Sequence, residues 1–341
     1  MGFLHYGVIM KPTIVIWDSD SLAYRATAAT ESRSVEVTHI PTNKTKIFKN
    51  RTECKEHLTS IGKTFDPVIY KFLDIQEPEP ISHTIKVMKN IIEKTNERLF
   101  ADEYLMCIEG KGNFRSALPY PSAYKGNRTG IRPLNLKESK MYLYKQHPSY
   151  VAQGCEVDDA VIFKGYEYLE KGYNVILASQ DKDAMSATNL SLYDFTDDTA
   201  KVLTIPDLGY LEDTGKKVKG VGFLWLCYQM VRGDTVDNLN PSEIARKRFG
   251  DKSAYYLLKD AKNKQEALTL VAQQYKDWYG NGTKYVDCFG VERFVHYDFL
   301  LDLYFKGVKM MENENEIPCA YKFYEKHGIT LERKTDAHTI R

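Results

Sequence analysis

The chain has 341 residues, of which 43% are hydrophobic and 27% are charged, and its formal net charge is +1. This composition is typical of a globular protein with a sizeable core and excludes an intrinsically disordered chain. The six cysteines contain no CxxC pair, so no zinc site or redox motif is indicated, and we expect free thiols in a reducing cytosol. With no signal peptide and no apolar run near the roughly 20 residues that span a bilayer, we expect a cytoplasmic protein without a membrane partner.

Predicted strands and helices alternate in the first part of the chain. Strands are expected at residues 13–17, 104–108 and 174–178, and helices at residues 81–100 and 156–171. This alternation predicts the α/β class, with a mostly parallel central sheet flanked by helices. Residues 30–74 interrupt the pattern, and we expect an insertion with some hairpin character there.

The pattern becomes mostly helical from residue 221 onward. Helices are expected at residues 221–231, 242–249, 253–261, 264–279 and 297–306, with a turn-rich break at residues 280–290 and no further strands. We therefore expect an α/β core over residues 11–220, a helical subdomain over residues 221–310 and a loosely ordered polar tail over residues 311–341.

An acidic residue follows each of the three predicted strands. Asp18 follows the first strand, Glu109 follows the second, and Asp181 comes shortly after the third. In open α/β sheets the ligand crevice lies beyond the carboxyl ends of the strands. We therefore expect these three carboxylates, which are distant in sequence, to converge at one edge of the sheet.

Acidic residues recur in five groups along the chain. The groups are Asp18 with Asp20, Glu109, then Glu156 with Asp158 and Asp159, Asp181 with Asp183, and Asp234 with Asp237. Taken singly, each group also fits a charged helix N-terminus or a solvated turn. Gathered in one crevice, the carboxylates would repel one another and raise their pKa values, so a compensating cation is expected.

The chemistry of these ligands indicates which cation to expect. Hard carboxylate oxygens with no nearby histidine or cysteine favour Mg²⁺ or Mn²⁺ over zinc. Two such ions about 4 Å apart suit in-line displacement at a phosphodiester. The acidic groups therefore predict a divalent-metal-dependent nuclease.

Positive charge is concentrated between residues 111 and 147. Eight basic residues are opposed there by a single acid, Glu138, and they are Lys111, Arg115, Lys125, Arg128, Arg132, Lys137, Lys140 and Lys145. A solvated face is one interpretation of such a segment. The other is a surface that binds phosphates, because few acids are interspersed.

A series of short motifs runs from about residue 14 to residue 258. In order they are DSDSLAY (18–24), FR (114–115), YKGNR (124–128), CEVDD (155–159), SQDKD (179–183), GDTVDN (233–238) and GDKSAYYLL (250–258). At these residues the chain resembles the 5′-nuclease superfamily, which contains flap endonucleases, bacteriophage 5′-exonucleases and the 5′-nuclease domain of bacterial DNA polymerases. It has no polymerase-length extension, so it resembles the stand-alone phage enzymes best.

The resemblance implies a PIN-like nuclease core, a helical arch at about residues 120–150 and a C-terminal helix-three-turn-helix subdomain. It implies that Lys125 and Arg128, at the base of the arch, steer the scissile phosphate and stabilise its developing charge. It further implies two bound Mg²⁺ or Mn²⁺ ions, held directly or through water by Asp18, Glu109, Glu156, Asp158, Asp159, Asp181, Asp183, Asp234 and Asp237.

The resemblance also implies contacts with DNA. The ring of Tyr24 is expected to stack on a base beside the cleaved bond, although a tyrosine here also fits the core behind the first strand. The helical hairpin near Gly250 is expected to hold a duplex backbone, with a monovalent ion such as K⁺. The other residues expected to contact DNA are Arg25, Arg115, Tyr124, Arg248, Gly250, Lys252 and Ser253.

The expected activity is that of a 5′–3′ exodeoxyribonuclease with structure-specific flap endonuclease activity, in phage DNA replication, recombination or primer removal. Its expected partners are DNA 5′ ends, flaps and nicks, and the chain is expected to be monomeric. Removal of RNA primers from RNA–DNA hybrids stays open, because backbone contacts and stacking tolerate either sugar. An alternative of another class is a DNA-binding scaffold that has lost catalysis.

Overall fold

The computed structural model of the protein describes residues 11–334 and 338–339. In chain order its helices and strands are β1 (Thr13–Asp18), α1 (Ser19–Ala29), β2 (Glu31–His39), β3 (Lys44–Phe48), α2 (Arg51–Ser60), β4 (Tyr70–Pro78), α3 (Ile81–Arg98), β5 (Glu103–Glu109), α4 (Leu136–Gln146), β6 (Ser149–Ala152), α5 (Val157–Glu170), β7 (Asn174–Ala178), β8 (Ser191–Tyr193), β9 (Leu203–Thr204), β10 (Tyr210–Asp213), β11 (Val218–Val221), α6 (Gly222–Arg232), α7 (Asp251–Leu258), α8 (Lys264–Tyr279), β12 (Thr283–Val286), β13 (Glu292–Val295), α9 (Tyr297–Val308), α10 (Ala320–Lys326) and β14 (His338–Thr339). Short 3₁₀ turns lie at Ile40–Thr42, Phe114–Ala117 and Lys182–Ser186.

The described residues divide into two compact units. The first unit holds the residues up to 18, residues 96–129 and the residues from 148 onward, and the second unit holds residues 19–95 and 130–147. The boundary expected near residue 220 falls inside the first unit, and it stays a prediction. Residues 120–129 of the expected arch lie in the first unit, whereas α4 lies in the second.

The first unit is built on a six-stranded sheet in the order β6-β5-β1-β7-β8-β9. Strand β1 pairs in parallel with both β5 and β7, and β9 is antiparallel to β8. The mostly parallel central sheet expected from the sequence is therefore confirmed. Because β1, β5 and β7 are parallel neighbours, their carboxyl ends meet at one edge of the sheet.

Strand β1 is buried on both of its faces. Ile14, Val15, Ile16 and Trp17 are each at most 1% exposed. A strand covered on both faces needs a continuous apolar run, and burial of each large side chain contributes about 1.5–3 kcal/mol. Helix α5 packs against β1 and β7 and covers one of these faces. This rigid strand ends on Asp18, so it holds that carboxylate in place.

A second core cluster of the first unit is mainly helical. In α6 the residues from Gly222 to Val231 are all buried, because the helix packs against α7, α8 and α9. Tyr324 of α10 and Leu331 belong to the same cluster. The expectation of a loosely ordered polar tail is therefore wrong for residues 311–334, because apolar side chains spaced between charged ones anchor this segment to the core.

Two further expectations for the C-terminal half are wrong. Residues 241–246 form turns where a helix was expected, since Asn240 accepts hydrogen bonds from the backbone and hydroxyl of Ser242, and Arg246 has a φ of 51°. Strands β12, β13 and β14 form a small antiparallel sheet where no strand was expected. Strands of four residues or fewer give too short a pattern to be recognised in sequence.

The second unit contains a separate antiparallel sheet in the order β3-β2-β4. Helix α2 covers one face of this sheet. Cys54 and Leu58 of α2 form a core cluster with Val35, Val37 and Phe48 of the strands. The hairpin character expected for residues 30–74 is therefore confirmed. The helices α1, α3 and α4 complete the unit, and α1 packs against α4. Across residues 11–334, no helix combines the length and the apolar character needed to cross a membrane.

Candidate functional site

Two acids expected at the sheet edge are brought together by a serine. Asp18 ends β1 and is 2% exposed. Ser179 follows β7, and its hydroxyl donates a hydrogen bond to Oδ2 of Asp18 at 3.3 Å. The same hydroxyl oxygen accepts from the backbone N–H of Asp181 at 3.0 Å. Ser179, which sequence reasoning did not select, thus links the ends of two neighbouring strands.

The first turn of α5 adds a third acid to this edge. The pKa of Asp158 is raised well above its usual value by desolvation and then by the negative charges of Asp18, Asp181 and Glu156. Nearby negative charges disfavour ionisation of a buried carboxyl in this way. The hydrogen bonds of Ser179 bring Asp18 and Asp181 to the same edge of the sheet, as expected from the strand ends.

Three further acids form a compact buried triad. Asp183, Asp234 and Asp237 each offer a carboxylate oxygen, and these oxygens all lie within 4.8 Å of one another. All three residues are buried, at 9%, 5% and 5% exposure. Asp183 comes from the 3₁₀ turn Lys182–Ser186, and the other two come from the loop after α6. This triad is the part of the described chain with the spacing that a metal ion needs.

The loop after α6 depends on a glycine. Gly233 has a φ of 72°, and a Cβ atom there would lie 2.2 Å from the carbonyl oxygen of Leu239. The backbone N–H of Leu239 donates to the carbonyl oxygen of Asp234 at 2.7 Å, and Oδ1 of Asp234 accepts from the backbone N–H of Val236 at 2.8 Å. These bonds close the loop, so that Asp234 and Asp237 face the same point.

Two side chains that sequence reasoning missed hold the triad. Nε2 of Gln229 donates to Oδ1 of Asp183 at 2.6 Å, and Nζ of Lys182 lies 2.7 Å from Oδ2 of Asp234. Gln229 is 3% exposed, and its Oε1 has no hydrogen-bond partner among the described residues. A single glutamine in an otherwise apolar buried helix was the available signal, because such a group needs a polar partner.

The electrostatics of the triad fit a divalent cation. Desolvation, followed by the charges of Asp181 and Asp234, raises the pKa of Asp183 to about 8. Desolvation also raises the pKa of Asp237. Buried carboxylates in this state favour a hard cation, and the unpaired Oε1 of Gln229 could accept from the water molecules that Mg²⁺ keeps. The donor set therefore fits Mg²⁺ or Mn²⁺.

The two expected catalytic cations lie beside these acids. Lys125 pairs with Oε1 of Glu156, and Nη2 of Arg128 lies 2.7 Å from Oδ1 of Asp237. The hydroxyl of Tyr124 lies 2.8 Å from a carboxylate oxygen of both acids. Desolvation and the charge of Glu156 raise the pKa of Tyr124, so its hydroxyl stays protonated and donates. Motif YKGNR is thereby attached to the acidic site.

The backbone of Lys125 is constrained. Its φ of 56° is unusual for a residue with a side chain, and its N–H donates to the carbonyl oxygen of Asp237 at 2.9 Å. Backbone strain of this kind costs on the order of 1–3 kcal/mol and concentrates at functional sites. The conformation directs the lysine side chain toward the acids rather than into solvent. In this position the side chain is 22% exposed.

Arg115 and Asp159 pair with each other in the interior of the first unit. Both side chains are 0% exposed, and they form a two-pronged ion pair at 2.5 and 2.9 Å. The oxygens of Asp159 also accept the backbone N–H groups of Glu156 and Met311. Arg115 is therefore enclosed in the fold, and the oxygens of Asp159 are filled by donors. A buried charge must be paired, and each of these side chains supplies the countercharge of the other. Their expected roles in DNA and metal binding stay predictions.

Glu109 ends β5 but does not join the triad. It is exposed, whereas Asp18 on the neighbouring strand is buried. Its expected role as a metal ligand, direct or through water, stays a prediction.

The residues expected at the helical hairpin line a cavity in the first unit that is rich in basic side chains. Its volume is about 510 Å³, and it lies at the start of α7. It brings together Arg248, Gly250, Lys252 and Ser253, as the sequence suggested. The turn between β10 and β11 and the end of α6 contribute basic lining residues that were not expected, which are Lys216, Lys217 and Arg232. The acids Asp213 and Asp251 also line the cavity, and Asp251 pairs with Arg232.

Two expected DNA-binding residues lie in the second unit. Tyr24 and Arg25 are neighbours on α1, and both are exposed. Tyr24 is 46% exposed, so it is not the core tyrosine that the sequence also allowed.

No protein-family model matches the chain, and no curated protein matches it. Among solved structures, a T5 protein co-crystallised with metal ions is 16% identical, with a TM-score of 0.47 over 87% of this chain and 89% of that one. A complex of the bacteriophage T5 flap endonuclease with DNA and metal ions is 17% identical, with a TM-score of 0.46 over the same shares. T5 5′-exonuclease with bound zinc is 18% identical, with a TM-score of 0.43 over 87% and 89%. Similarity at this level assigns neither a family nor an activity.

Proposed function

We propose that the protein is a divalent-metal-dependent nuclease that cleaves DNA at or near 5′ ends. The observation that carries this proposal is the buried triad of Asp183, Asp234 and Asp237, with Arg128 paired to Asp237 of the triad and Lys125 paired to the neighbouring Glu156. Acids alone suit many metal proteins. Acids next to paired cations suit a reaction in which a phosphate must be drawn toward metal ions despite the negative charge of both phosphate and ligands.

The triad would hold one divalent cation, and Asp18, Asp158, Asp181 and Glu156 would supply the ligands of a second. Such ions, when bound, activate water as a nucleophile and stabilise the leaving oxygen of a phosphodiester. Gln229 and Lys182 orient two of the triad carboxylates through the hydrogen bond and ion pair described above. Rigid attachment of these acids to β1, β7 and α6 keeps them from rearranging during the reaction.

Lys125 and Arg128 would exchange partners when DNA binds. Each now pairs with a carboxylate, and Arg128 is half-exposed, with a side-chain exposure of 52%. With the carboxylates neutralised, the ammonium of Lys125 and the guanidinium of Arg128 would be free to bind phosphate oxygens. The guanidinium can contact two oxygens at once, whereas the ammonium acts as a point charge. Both groups would stabilise charge that develops on the scissile phosphate.

The basic cavity at α7 would hold the duplex part of the substrate. Its lysines and arginines suit phosphates, and such contacts position a duplex without reading its sequence. The N-terminus of α7 adds partial positive charge at the same place. The K⁺ ion expected there belongs to the same proposal.

We also propose a direction of cleavage and a class of substrate. We propose 5′–3′ exonuclease action with flap cleavage by the same acids, and stacking of a base on exposed Tyr24. A role in phage DNA replication, recombination or primer removal belongs to this proposal. Cleavage of RNA–DNA hybrids is an alternative substrate preference, and a non-catalytic scaffold is the alternative of another class. The scaffold is disfavoured because a repulsive buried triad would be costly to keep without a metal.

One gel assay tests the proposal. Wild type, Asp181→Ala and the control Asp260→Asn, which changes an exposed acid, are incubated with Mg²⁺ and a panel of nicked, blunt and flapped duplexes. Each duplex is labelled at its 5′ end or its 3′ end. We expect release of short 5′-labelled products by wild type and by Asp260→Asn only. Degradation that begins at 3′ ends would overturn the proposal, and so would equal activity of Asp181→Ala and wild type.

A further inference from the structure

The second unit contains a buried carboxylate that no step above uses. Glu31 begins β2, and its side chain is 1% exposed. Its Oε1 accepts from Nε of Arg33 at 2.7 Å and from Nε2 of Gln76 at 2.9 Å, and its Oε2 accepts from the backbone N–H of Leu134 at 2.7 Å. Glu31 therefore joins one end of the β2–β4 pairing to a distant part of the chain.

Two more hydrogen bonds tie the same part of the chain to the sheet. Nε2 of Gln76 donates to the carbonyl oxygen of Arg132 at 2.9 Å, and Nδ2 of Asn135 donates to the carbonyl oxygen of Glu79 at 2.9 Å. Residues 132–135, which we name the linker segment, contain no helix or strand of their own. Their path is set instead by the three side chains of Glu31, Gln76 and Asn135.

The place of the linker segment in the chain gives these bonds a consequence. It follows Arg128 by only a few residues, and α4 begins directly after it at Leu136. An irregular segment of this length would otherwise sample many conformations, and ordering each residue costs about 1–2 kcal/mol of conformational entropy. Because the hydrogen bonds order the linker segment when the protein folds, substrate binding does not have to supply this free energy.

We propose that residues 31–79 are a positioning insert, in which Glu31 fixes the linker segment and so pre-orders the basic region at residues 111–147 for a 5′ single strand. This inference rests on the proposed nuclease function. Glu31 touches no reacting atom, and it acts through the linker segment. The carboxylate is held ionised, because the hydrogen bonds from Leu134, Gln76 and Arg33 outweigh desolvation and lower its pKa. The expected effect is on substrate binding, with little on turnover.

The test compares Glu31→Ala with Asn135→Ala, which removes a second tie without touching the sheet. Glu77→Gln is the control, because this exposed carboxylate of β4 accepts from Ser32 instead. Amide hydrogen exchange of the DNA-free protein is measured at residues 131–136, and KM and kcat are measured on a 5′-flap duplex. We expect exchange to accelerate about tenfold or more in both variants and KM to rise about fivefold, with kcat within about twofold of wild type.

The possible results distinguish a failure of the positioning role of residues 31–79 from a failure of the proposed nuclease function. Unchanged exchange in both variants overturns the anchoring. Faster exchange with an unchanged KM, or a fall in kcat alone, overturns the positioning role. A wild type that cleaves nothing refutes the proposed function, and the exchange data then still decide whether Glu31 anchors the linker segment.

Discussion

At the scale of single residues, the pH dependence of stability tests the carboxylate triad. The pKa of Asp183 is raised from its usual 3.8 to about 8. A group whose pKa is higher in the folded state stabilises the fold at low pH and loses that contribution as pH rises through the folded value. Without divalent cations, the melting temperature should therefore fall as pH rises from about 5 to above 8.

The same experiment has a metal arm and a control. Addition of Mg²⁺ or Mn²⁺ at pH 9 should restore the melting temperature, because a ligand that binds only the folded state stabilises it. Asp183→Asn should melt with a weaker dependence on pH, since an amide does not titrate. A flat profile for the wild type in EDTA would contradict the raised pKa of Asp183.

Gln229 offers a test that does not depend on catalysis. Gln229→Leu keeps the volume of the side chain but removes the donor to Asp183 and the unpaired Oε1. We expect Mn²⁺ affinity, measured by calorimetry, to fall roughly 10- to 100-fold, as is usual when a partner of a metal ligand is lost. Unchanged affinity would show that Gln229 serves packing alone.

Lys125 should affect the reaction more than the binding of DNA. Lys125→Ala should lower kcat by on the order of a hundredfold, because it removes a cation placed at the developing charge. Its dissociation constant for DNA should change by less than about tenfold. Lys201→Ala, an exposed lysine elsewhere in the first unit, is the matched control. Equal losses in kcat and affinity would count against the assigned role.

The family resemblance implied that Asp183, Asp234 and Asp237 act at one site, and the structure places these three acids close together. The side chains that pair with the acids were harder to predict. The pairing of Arg115 with Asp159 joins residues 44 positions apart and depends on the burial of both, which no local pattern records. The same reason explains why Lys182 was missed, because an ion pair across two loops becomes visible only when the loops are folded.

At the scale of elements, the proposed duplex contact at α7 can be tested by charge reversal. Lys252→Glu should weaken binding of duplex DNA about evenly across sequences and make log Kd about one unit less steep in log salt, since one phosphate contact is lost. Lys259→Glu, at the other end of the same helix, is the control. A salt dependence that is the same in both variants would remove this cavity from the duplex-binding surface.

Elements with long periodic patterns were predicted, and short ones were not. β1, β5 and β7 appear within a residue of their expected bounds, because each is a buried apolar run. The strands β10 to β13 have four residues each, and their pairing depends on partners elsewhere in the chain. The helix expected at residues 242–249 does not form, because Asn240 and the positive φ of Arg246 hold turns instead.

At the scale of the whole molecule, the division into units was the least predictable feature. An insertion is expected at residues 30–74, yet no sequence pattern indicates that residues 130–147 join them in one unit. That association depends on Glu31 and on the packing of α4 against α1, which are contacts between segments about a hundred positions apart. Local patterns describe faces of helices and strands, and they do not specify which distant segment covers them.

Single-turnover cleavage of one 5′-flap duplex is the decisive test of whether the triad holds a catalytic metal ion. Wild type, Asp234→Asn and the control Asp260→Asn are compared with Mg²⁺ and with EDTA. We predict Mg²⁺-dependent cleavage by wild type and Asp260→Asn, and a loss on the order of a thousandfold for Asp234→Asn, because that change removes a ligand of the buried triad. Cleavage that persists in EDTA, or an Asp234→Asn variant as active as wild type, would contradict the assignment of the triad as the catalytic metal site.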